Sequence, residues 1–395
     1  MNPAVEFKNV DIIFGDQPAD ALKLLDEGAD RQQILSKTGS VLGVAGANLT
    51  VEPGEVCVLM GLSGSGKSTL LRAVNGLNRV TRGEVLVQDG ESSVDVASCN
   101  ESTLRALRMN RVAMVFQQFA LLPWRTVAEN VGLGLELRGM PKAKRNRVVD
   151  EKLELVSLEQ WSGKYAHELS GGMQQRVGLA RAFATDADIL LMDEPFSALD
   201  PLIRTHLQDE LMSLQTTLNK TILFVSHDLD EALKIGTHIA IMEGGRIVQF
   251  GTPEDIVLSP ANNYVADFVA HMNPLNVLRG ASLMTATVDL PKDGDAVILD
   301  DKGHYRAHLD LAGGIRSITC DGAPLDVVEF NGDVEKHPDR INGIPALAPD
   351  VIMKTAIQYC ELSGHLVVMV NDGQMAGVIG NREIYRGILR QAGAV

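Results

Sequence analysis

The sequence has few cysteines and no long apolar segment. Its 395 residues include four cysteines, which lie far apart and without C-x-x-C spacing: Cys57, Cys99, Cys320 and Cys360. This spacing argues against a zinc site and a disulfide framework, and it predicts reduced thiols, as in a cytosol. The first residues lack the basic and then apolar profile of a signal peptide, and no segment approaches the roughly 18 apolar residues that span a membrane. We therefore expect a chain that lies outside the lipid bilayer.

The chain also lacks an excess of positive charge. It has 36 Lys and Arg residues against 51 Asp and Glu residues, a formal net charge of -15. Because duplex binding depends on clustered cations that neutralise phosphates, this balance argues against a nucleic-acid partner. The length exceeds that of one ordinary core, and a hydrophobic content of 45% allows two globular domains. The composition changes near Asn273 and Pro274, which predicts a boundary between residues 1–272 and 273–395.

A glycine-rich segment, Gly61–Ser68, has the pattern G-x-x-x-x-G-K-[ST]. It follows the apolar run Val56–Met60 and precedes a helical pattern, which is the strand, loop and helix context of a phosphate-binding loop. Glycines let backbone N–H groups point inward, a helix N-terminus adds about half a positive charge, and Lys67 adds a full one. A Gly/Ser-rich surface turn is the alternative, and it would match by chance in about one such chain in a hundred. We expect a nucleotide polyphosphate with magnesium to bind here.

Two further segments, one at the end of a predicted strand and one at the start of a predicted helix, carry candidate catalytic and anion-binding residues. Asp193 and Glu194 follow the apolar segment Ile189–Met192, and ligands gather at the carboxyl ends of strands in a doubly wound sheet. Asp193 can hold a magnesium shell and Glu194 can polarise a water for in-line attack, although strands often end in acidic residues. Ser170–Gly172 opens another helix as either a second anion site or an ordinary cap, and the residues alone slightly favour the cap.

The order of the segments predicts an α/β fold. Short apolar segments such as Thr221–Val225 alternate with helical patterns, which is typical of a mainly parallel sheet covered by helices. The pattern is mainly helical over about 117–187, so we expect a helical subdomain there. Residues 18–37 predict an inserted helical hairpin. Val5–Val10 alternates as an exposed edge strand should.

The C-terminal segment predicts a smaller α+β domain. Residues 296–303 and 366–373 echo one another, because each is an apolar strand that continues into an Asp-rich hairpin turn. The second continues as a strand, Met375–Ile379, and a helix over 382–390. These patterns predict a tandem pair of small α+β units.

Several motifs occur together in one order: the phosphate loop, Gln117, Leu169–Met173, the carboxylate pair, Ser197–Asp200 and His227. With this combination the chain, from about Val5 to Phe250, resembles the nucleotide-binding subunit of ABC transporters. The resemblance implies a P-loop NTPase cassette with a mainly parallel sheet, an antiparallel β subdomain and a helical subdomain. It also implies a head-to-tail homodimer, in which the phosphate loop of one chain and Ser170–Gly172 of the other enclose ATP with Mg²⁺.

The resemblance implies a role for each matching residue. Catalytic roles fall to Gln117, Glu194 and His227, and magnesium binding falls to Ser68, Gln117 and Asp193. The residues that would contact ATP are Phe14, Gly61, Ser63, Gly64, Ser65, Gly66, Lys67, Ser68, Thr69, Ser170, Gly171, Gly172 and Asp200. Phe14 matches an adenine-stacking aromatic, usually tyrosine, and a buried core position is the alternative. For His227 the alternative is a structural histidine.

Finer details resemble the importers of quaternary amines, which take up glycine betaine, choline or related osmoprotectants. These details are the insertion at 18–37, the phosphate loop sequence and Ala113–Pro123. The resemblance implies an ATPase that powers import through a membrane permease, with a substrate-binding protein as an indirect partner, on the cytoplasmic face of the bacterial inner membrane. Residues 122–126 match the permease contact, and an ordinary helix start is the alternative.

Three other functions fit the same motifs. The first is a soluble ABC ATPase that acts on ribosomes or DNA, and the second is a catalytically inactive ATP binder. The third is an importer of another solute, such as proline or taurine. In the quaternary-amine family the tail is a pair of regulatory CBS modules, and Gly377–Glu383 resembles the end of such a unit. Gly380 stands where a ribose-contacting Ser or Thr is usual. The resemblance thus implies a regulatory domain of degenerate tandem CBS units.

Overall fold

The computed structural model describes residues 2–270, 273–330 and 341–389. The chain forms two units that divide between Thr252 and Pro253. This division comes earlier than the expected boundary at 272/273, because two short helices that follow Thr252 group with the C-terminal unit. Within the described residues, no helix combines the length and the apolar character that a bilayer crossing requires.

The N-terminal unit contains strands of two sheets. In chain order they are β1 (Val5–Phe14), β2 (Val41–Val51), β3 (Val56–Met60), β4 (Arg82–Asp89), β5 (Ser92–Asp95), β6 (Val112–Val115), β7 (Ile189–Asp193), β8 (Thr221–Val225), β9 (His238–Glu243) and β10 (Arg246–Gly251). The helices are α1 (Pro18–Asp26), α2 (Arg31–Thr38), α3 (Lys67–Leu71), α4 (Glu101–Asn110), α5 (Val127–Val131), α6 (Leu133–Leu137), α7 (Lys142–Leu155), α8 (Gly171–Ala184), α9 (Pro201–Leu218) and α10 (Leu229–Ile235).

The larger sheet has the strand order β10-β9-β3-β8-β7-β6. All of its neighbouring strands run parallel except β10, which pairs antiparallel with β9. Every residue of β3, β7 and β8 is buried, as their short apolar segments predicted. Because parallel strands end at one edge of a sheet, the segments after β3, β6, β7 and β8 meet there. These segments carry the phosphate loop, Gln117, Glu194 and His227.

The smaller sheet is antiparallel, with the order β2-β1-β4-β5. The prediction of an edge strand at Val5–Val10 was wrong, because β1 pairs with β2 on one side and with β4 on the other. Alternation of apolar and polar residues reports which face of a strand is buried, and it carries no information on which edge is paired. Phe7 of β1 shares one apolar core with Leu59 of β3 and Leu70 of α3, so the two sheets are packed together.

The helical hairpin expected at 18–37 is present as α1 and α2, and the helical subdomain expected at 117–187 is present as α5 to α8. In the hairpin, Pro18 begins α1, where its fixed φ suits a first helical turn. In the subdomain, α8 starts after its cap, Ser170, and packs against α5 and α7. Both insertions therefore fold as helices attached to the sheets.

The C-terminal unit is α+β, as expected. Its helices are α11 (Pro253–Leu258), α12 (Asn263–Val269), α13 (Gly280–Leu283), α14 (Met353–Ser363) and α15 (Asn381–Ile388). Its strands are β11 (Thr285–Ala286), β12 (Lys292–Asp293), β13 (Ala296–Ile298), β14 (Tyr305–Leu309), β15 (Ile315–Cys320), β16 (Ala323–Leu325), β17 (Val327–Glu329), β18 (Ile344–Leu347), β19 (Val367–Asn371) and β20 (Gln374–Ile379). One sheet has the order β11-β20-β19-β18-β17, and the other follows the chain from β12 to β16.

The two echoing segments fold differently from each other. The second, 366–373, forms β19 and its turn, and it continues into β20 and α15 as predicted, with residue 390 outside the described residues. The first, 296–303, lies in an antiparallel meander, and no helix occurs within 290–330. Turns at Gly303, Gly313 and Gly322 join strands of three to six residues there, and such short connections leave no room for a helix. Within the described residues, the second segment therefore belongs to an α+β arrangement and the first belongs to an antiparallel sheet.

Candidate functional site

The phosphate loop is tightly packed on one side and open on the other. Gly61 has a φ of +141°, and a Cβ there would lie 2.1 Å from a backbone oxygen of β9. Gly66 has a φ of +104°, and a Cβ there would lie 2.5 Å from a backbone oxygen of β2. An L side chain fits neither position. At Gly64 a Cβ would meet nothing within 4 Å, so the loop faces open space at this residue.

Lys67 is 6% exposed and points back at the loop. Its Nζ donates hydrogen bonds to the carbonyl oxygens of Gly61 and Leu62, at 2.9 and 3.0 Å. Burial lowers the pKa of Lys67, and the carboxylates of Glu194 and Asp193 oppose this shift. The loop therefore holds a partly desolvated ammonium, whose attraction for an anion exceeds that of the same charge in bulk water.

Other donors of the loop fit a chain of phosphate groups. Ser65 is 5% exposed, and its Oγ has no hydrogen-bond partner among the described residues. Gly66, Lys67 and Ser68 stand at the start of α3, where backbone N–H groups have no acceptor within the helix. Such N–H groups, together with an ammonium and an unpaired hydroxyl, form a site that an anion satisfies.

Asp193 is completely buried at the end of β7 and lies against the phosphate loop. Ser68 Oγ donates to its Oδ1 at 2.6 Å, and Arg72 donates to its Oδ2 from Nε at 3.1 Å and from Nη2 at 2.8 Å. Within the part of the chain that the structure describes, no three His, Cys, Asp or Glu side chains form a closed metal site. One carboxylate beside a hydroxyl nevertheless suits Mg²⁺, which takes most of its ligands from substrate phosphates and water.

The three side chains with predicted catalytic roles meet at one carboxylate oxygen. Gln117 Nε2 donates to Glu194 Oε2 at 3.1 Å, and His227 Nδ1 lies 3.3 Å from the same oxygen. The Glu194 side chain is 18% exposed and that of His227 is 63% exposed, so the group lies at the surface of the sheet edge. The structure therefore brings the side chains of Gln117, Glu194 and His227 together.

The backbone of Glu194 adopts an unusual conformation that its neighbours hold. Its φ is +47°, a region that costs a non-glycine residue about 1 kcal/mol. Its N–H donates to the oxygen of Val225 at 3.1 Å, and its carbonyl accepts from Gln175 Nε2 at 3.1 Å. Gln175 is 1% exposed, and its Oε1 also accepts from Ala198 N at 3.1 Å. Gln175, together with Ser197 Oγ, which donates to the same carbonyl at 3.0 Å, thus holds the backbone of Glu194 in place.

His227 follows a buried polar network. Ser226 Oγ donates to Glu231 Oε2 at 2.5 Å and accepts from Asp228 N at 2.9 Å. Gln208 Nε2 donates to Glu231 Oε1 at 3.0 Å. Burial raises the pKa of Glu231, and the hydrogen bonds from Ser226 and Gln208 oppose that shift. The network closes the turn between β8 and α10, and His227 projects from this turn.

Phe14 lies beside the phosphate loop and outside the core. It is 42% exposed, which is inconsistent with a core position. A Cβ built on Gly43 would lie 2.8 Å from the Phe14 ring and 3.0 Å from Thr69 Cγ2, so both side chains flank Gly43. Gly43 O in turn faces Gly66. The exposed ring of Phe14 therefore lies close enough to the phosphate loop to contact the base of a bound nucleotide.

Ser170–Gly172 and Asp200 lie elsewhere on the cassette. The Ser170 side chain caps α8 by accepting from Met173 N at 3.4 Å, and Asp200 caps α9. The heavy atoms nearest to a Cβ on Gly172 belong to Ala198 and Leu199, rather than to the phosphate loop. Ser170, Gly171 and Asp200 are exposed. The structure is therefore consistent with both interpretations of Ser170–Gly172. The segment caps α8, and its exposed outer surface could also contact an anion.

Sequence reasoning missed the side chains that position the predicted ones, namely Arg72, Gln175, Gln208 and Glu231. Only Gln175 carried a signal, since it lies four residues after Gly171 and hence on the same helix face. The others act across elements that are distant in sequence. Their partners could be found only from the folded chain.

Comparison with known proteins decides the family. The family model described as ABC transporter matches residues 44–197. ProV, the glycine betaine/proline betaine transport system ATP-binding protein of Escherichia coli (strain K12), is 53% identical over 264 residues, which is 67% of this chain and 65% of that protein. GbuA, the glycine betaine/carnitine transport ATP-binding protein of Listeria monocytogenes, is 48% identical over 289 residues, 73% of this chain and 72% of GbuA. The chain belongs to the family of ABC transporter ATP-binding subunits.

A solved structure of an ABC cassette confirms the fold of this subunit. The cassette MJ0796, in a dimeric post-hydrolysis state bound to ADP and phosphate, has a TM-score of 0.55 and is 29% identical. The match covers 63% of this chain and 98% of that one. The predicted similarity to the quaternary-amine importers is also confirmed, since both relatives are named for glycine betaine transport. The match to ProV spans less than two thirds of the length of ProV.

Proposed function

We propose that this subunit hydrolyses ATP to power the import of a quaternary amine, such as glycine betaine, through a membrane permease. The observation that carries the proposal is the position of Glu194. It lies between Gln117 and His227 and one residue after the buried Asp193, beside the phosphate loop. The names of ProV and GbuA support the choice of solute class. A binding protein and the permease would select the solute itself.

The phosphate loop would hold the ATP phosphates. Lys67 would turn from its loop carbonyls toward the β- and γ-phosphates, and the amides of Gly64 and Gly66 would donate to the same oxygens. Thr69 would reach the α-phosphate and Phe14 would stack on adenine. Ser68, Asp193 and Gln117 would hold magnesium, which supplies charge neutralisation to the phosphoryl group in transfer.

Glu194 would act as the general base. Its carboxylate would accept a proton from the attacking water, while Gln117 orients that water and His227 holds the γ-phosphate. Both neighbours already lie within 3.3 Å of Glu194 Oε2, so these three side chains are close together before ATP binds. The strained backbone of Glu194 and its bond from Gln175 would maintain this alignment.

A homodimer would complete each site. Ser170 and Gly171, which are exposed, and Gly172 of one copy would lie across the nucleotide from the phosphate loop of the other, and Asp200 would couple the two sites. The exposure of Gly64, Ser170 and Gly171 and the dimeric state of MJ0796 support this arrangement. ATP would close the dimer and hydrolysis would reopen it.

The segment 122–126 would dock the permease on the cytoplasmic face of the inner membrane. Trp124 is 71% exposed, which is unusual for a large apolar side chain. Thr126 is the N-cap of α5 and forms a capping box with Glu129. This cap holds the C-terminal end of the segment 122–126 in place. Gln117 precedes the segment in the same loop and would transmit the state of the nucleotide. The C-terminal domain expected at 273–395 would regulate transport.

The proposal is tested by Glu194→Gln, which removes the base and retains the size of the side chain. Purified variant should bind ATP as the wild type does, and its phosphate release should fall about 10²- to 10³-fold. Glu101→Gln, an exposed change on α4, is the matched control and should leave hydrolysis unchanged. Hydrolysis by Glu194→Gln at the wild-type rate would refute the assigned base. Copurification with ribosomes instead of a permease would refute the transport role.

A further inference from the structure

The inserted hairpin of α1 and α2 is attached firmly to the cassette. It begins four residues after Phe14 and returns to the sheet at β2, so it joins two segments that flank the phosphate loop. The apolar side chains in its contact with the sheet are Ala21, Leu25 and Ile34 on Ile13, Leu42 and Ala45. Ala21 and Ile34 are completely buried, and burial of apolar side chains favours the attached conformation.

A second attachment comes from Arg82 at the start of β4. Its Nε donates to Asp11 Oδ2 at 2.6 Å, and its two terminal nitrogens donate to both carboxylate oxygens of Asp26, at 2.8 and 2.9 Å. Asp11 is 2% exposed and also accepts from Gly46 N at 2.7 Å. The bonds from Arg82 lower the pKa of Asp26. The end of α1 is thereby joined to the antiparallel sheet.

The start of α2 is held in a single orientation. Asp30 Oδ1 accepts from Gln33 N at 2.8 Å and Gln33 Oε1 accepts from Asp30 N at 3.0 Å, which is a complete capping box. Arg31 is therefore the first residue of α2, and its backbone is fixed. From this position Arg31 Nη1 donates to the carbonyl oxygen of Gly64 at 2.6 Å. The insertion thus reaches the centre of the phosphate loop.

Gly64 is the residue of the loop that most needs a restraint. Its φ is +78°, it is exposed, and no neighbouring atom would limit a side chain there. Glycine loses more conformational freedom on ordering than any other residue, so an unrestrained Gly64 would sample many conformations that do not fit a phosphate. A hydrogen bond from a guanidinium is about twice as strong as a neutral one. Arg31 therefore limits the motion of the loop at this residue.

We propose that Arg31 is a positioning residue of the nucleotide site, through which the insertion keeps the phosphate loop in its binding conformation before the nucleotide arrives. This inference rests on the proposed function as an ATPase. Order that exists in the free protein does not have to be imposed when the ligand binds, so preorganisation of the loop raises nucleotide affinity. The guanidinium also adds a cation beside a polyphosphate site. Arg31 acts through Gly64 and leaves the alignment of Glu194 unchanged.

The test compares Arg31→Ala, Arg31→Lys and Gln32→Ala in the full chain. Gln32 is an exposed neighbour on the same helical turn and serves as the matched control. Loss of one charge-assisted hydrogen bond on a partly exposed side chain should raise the Kd for a fluorescent ATP analogue, and the KM for ATP, about tenfold. The kcat should stay within about twofold of the wild-type value. Arg31→Lys should recover part of the affinity, and Gln32→Ala should match the wild type.

Three results would overturn the inference, and each is distinct from failure of the proposed function. An unchanged Kd for Arg31→Ala would show that the contact does not position the loop. A fall in kcat without a change in KM would place Arg31 in the chemical step. A lower melting temperature, together with a higher KM and a lower kcat that change by the same factor, would indicate a purely structural role for Arg31. Failure of the wild-type chain itself to bind or hydrolyse ATP would refute the proposed function instead.

Discussion

The buried Gln175 gives a sharp test of how the cassette aligns its base. Gln175→Leu keeps the volume of the side chain and removes the amide that bonds Glu194 O and Ala198 N, both at 3.1 Å. Each neutral hydrogen bond contributes about 1 kcal/mol, so the loss amounts to about 2 kcal/mol at a residue that is already strained at φ +47°. If this free energy holds Glu194 in place, its loss should lower kcat about thirtyfold.

The assay is steady-state phosphate release at saturating ATP and magnesium, beside equilibrium binding of an ATP analogue. Gln175 touches no residue of the phosphate loop in its described hydrogen bonds, so the Kd for ATP should remain that of the wild type. Gln175→Glu should lose at least as much, because its buried carboxylate still accepts from Ala198 N but faces and repels the carbonyl oxygen of Glu194. A folded Gln175→Leu with a kcat within twofold of the wild type would refute the role of Gln175 in alignment.

Two further changes test the loop and the metal carboxylate. Gly66→Ala places a Cβ 2.5 Å from Gly43 O at a φ of +104°, and we expect more than about tenfold weaker ATP binding, whereas Gly28→Ala, at φ +85° in open space, should bind normally. Equal affinity of the two variants would contradict this. Arg72→Gln leaves Oδ2 of the buried Asp193 without its two guanidinium donors, and urea unfolding should show a loss of about 2 kcal/mol, below that of a fully buried pair because the Arg72 side chain is 37% exposed. An unchanged midpoint would show that Ser68 alone satisfies the carboxylate.

The sequence predicted the edge where the site forms because each motif directly follows a short apolar strand. Parallel strands end at a common edge, so Glu194 and His227 had to approach the phosphate loop once the sheet was assumed. The helical hairpin was also predictable, since α1 and α2 carry their own start and stop signals, such as Pro18 and the left-handed Gly39. Each of these signals lies within a few residues of the element that it predicts, so it can be recognised in a single sequence.

The positioning contacts could not be predicted because they join residues that are far apart in the chain. Arg31 meets Gly64, and Arg72 meets Asp193, only after two sheets and an insertion have packed together. The C-terminal meander was missed for a related reason, since an apolar strand that continues into an Asp-rich turn has the same pattern in an α+β unit and in an antiparallel sheet. The difference lies in which strand becomes the neighbour, and pairing is a property of the whole fold.

We propose that two copies of this chain enclose ATP between the phosphate loop of one and Ser170–Gly172 of the other. The most direct measurement is the molar mass and nucleotide content of Glu194→Gln with magnesium and ATP, by light scattering followed by assay of the released nucleotide. We expect a dimer, with twice the 42.6 kDa mass of the chain, that retains one unhydrolysed ATP per chain. A monomer of 42.6 kDa that carries a full equivalent of ATP would contradict it.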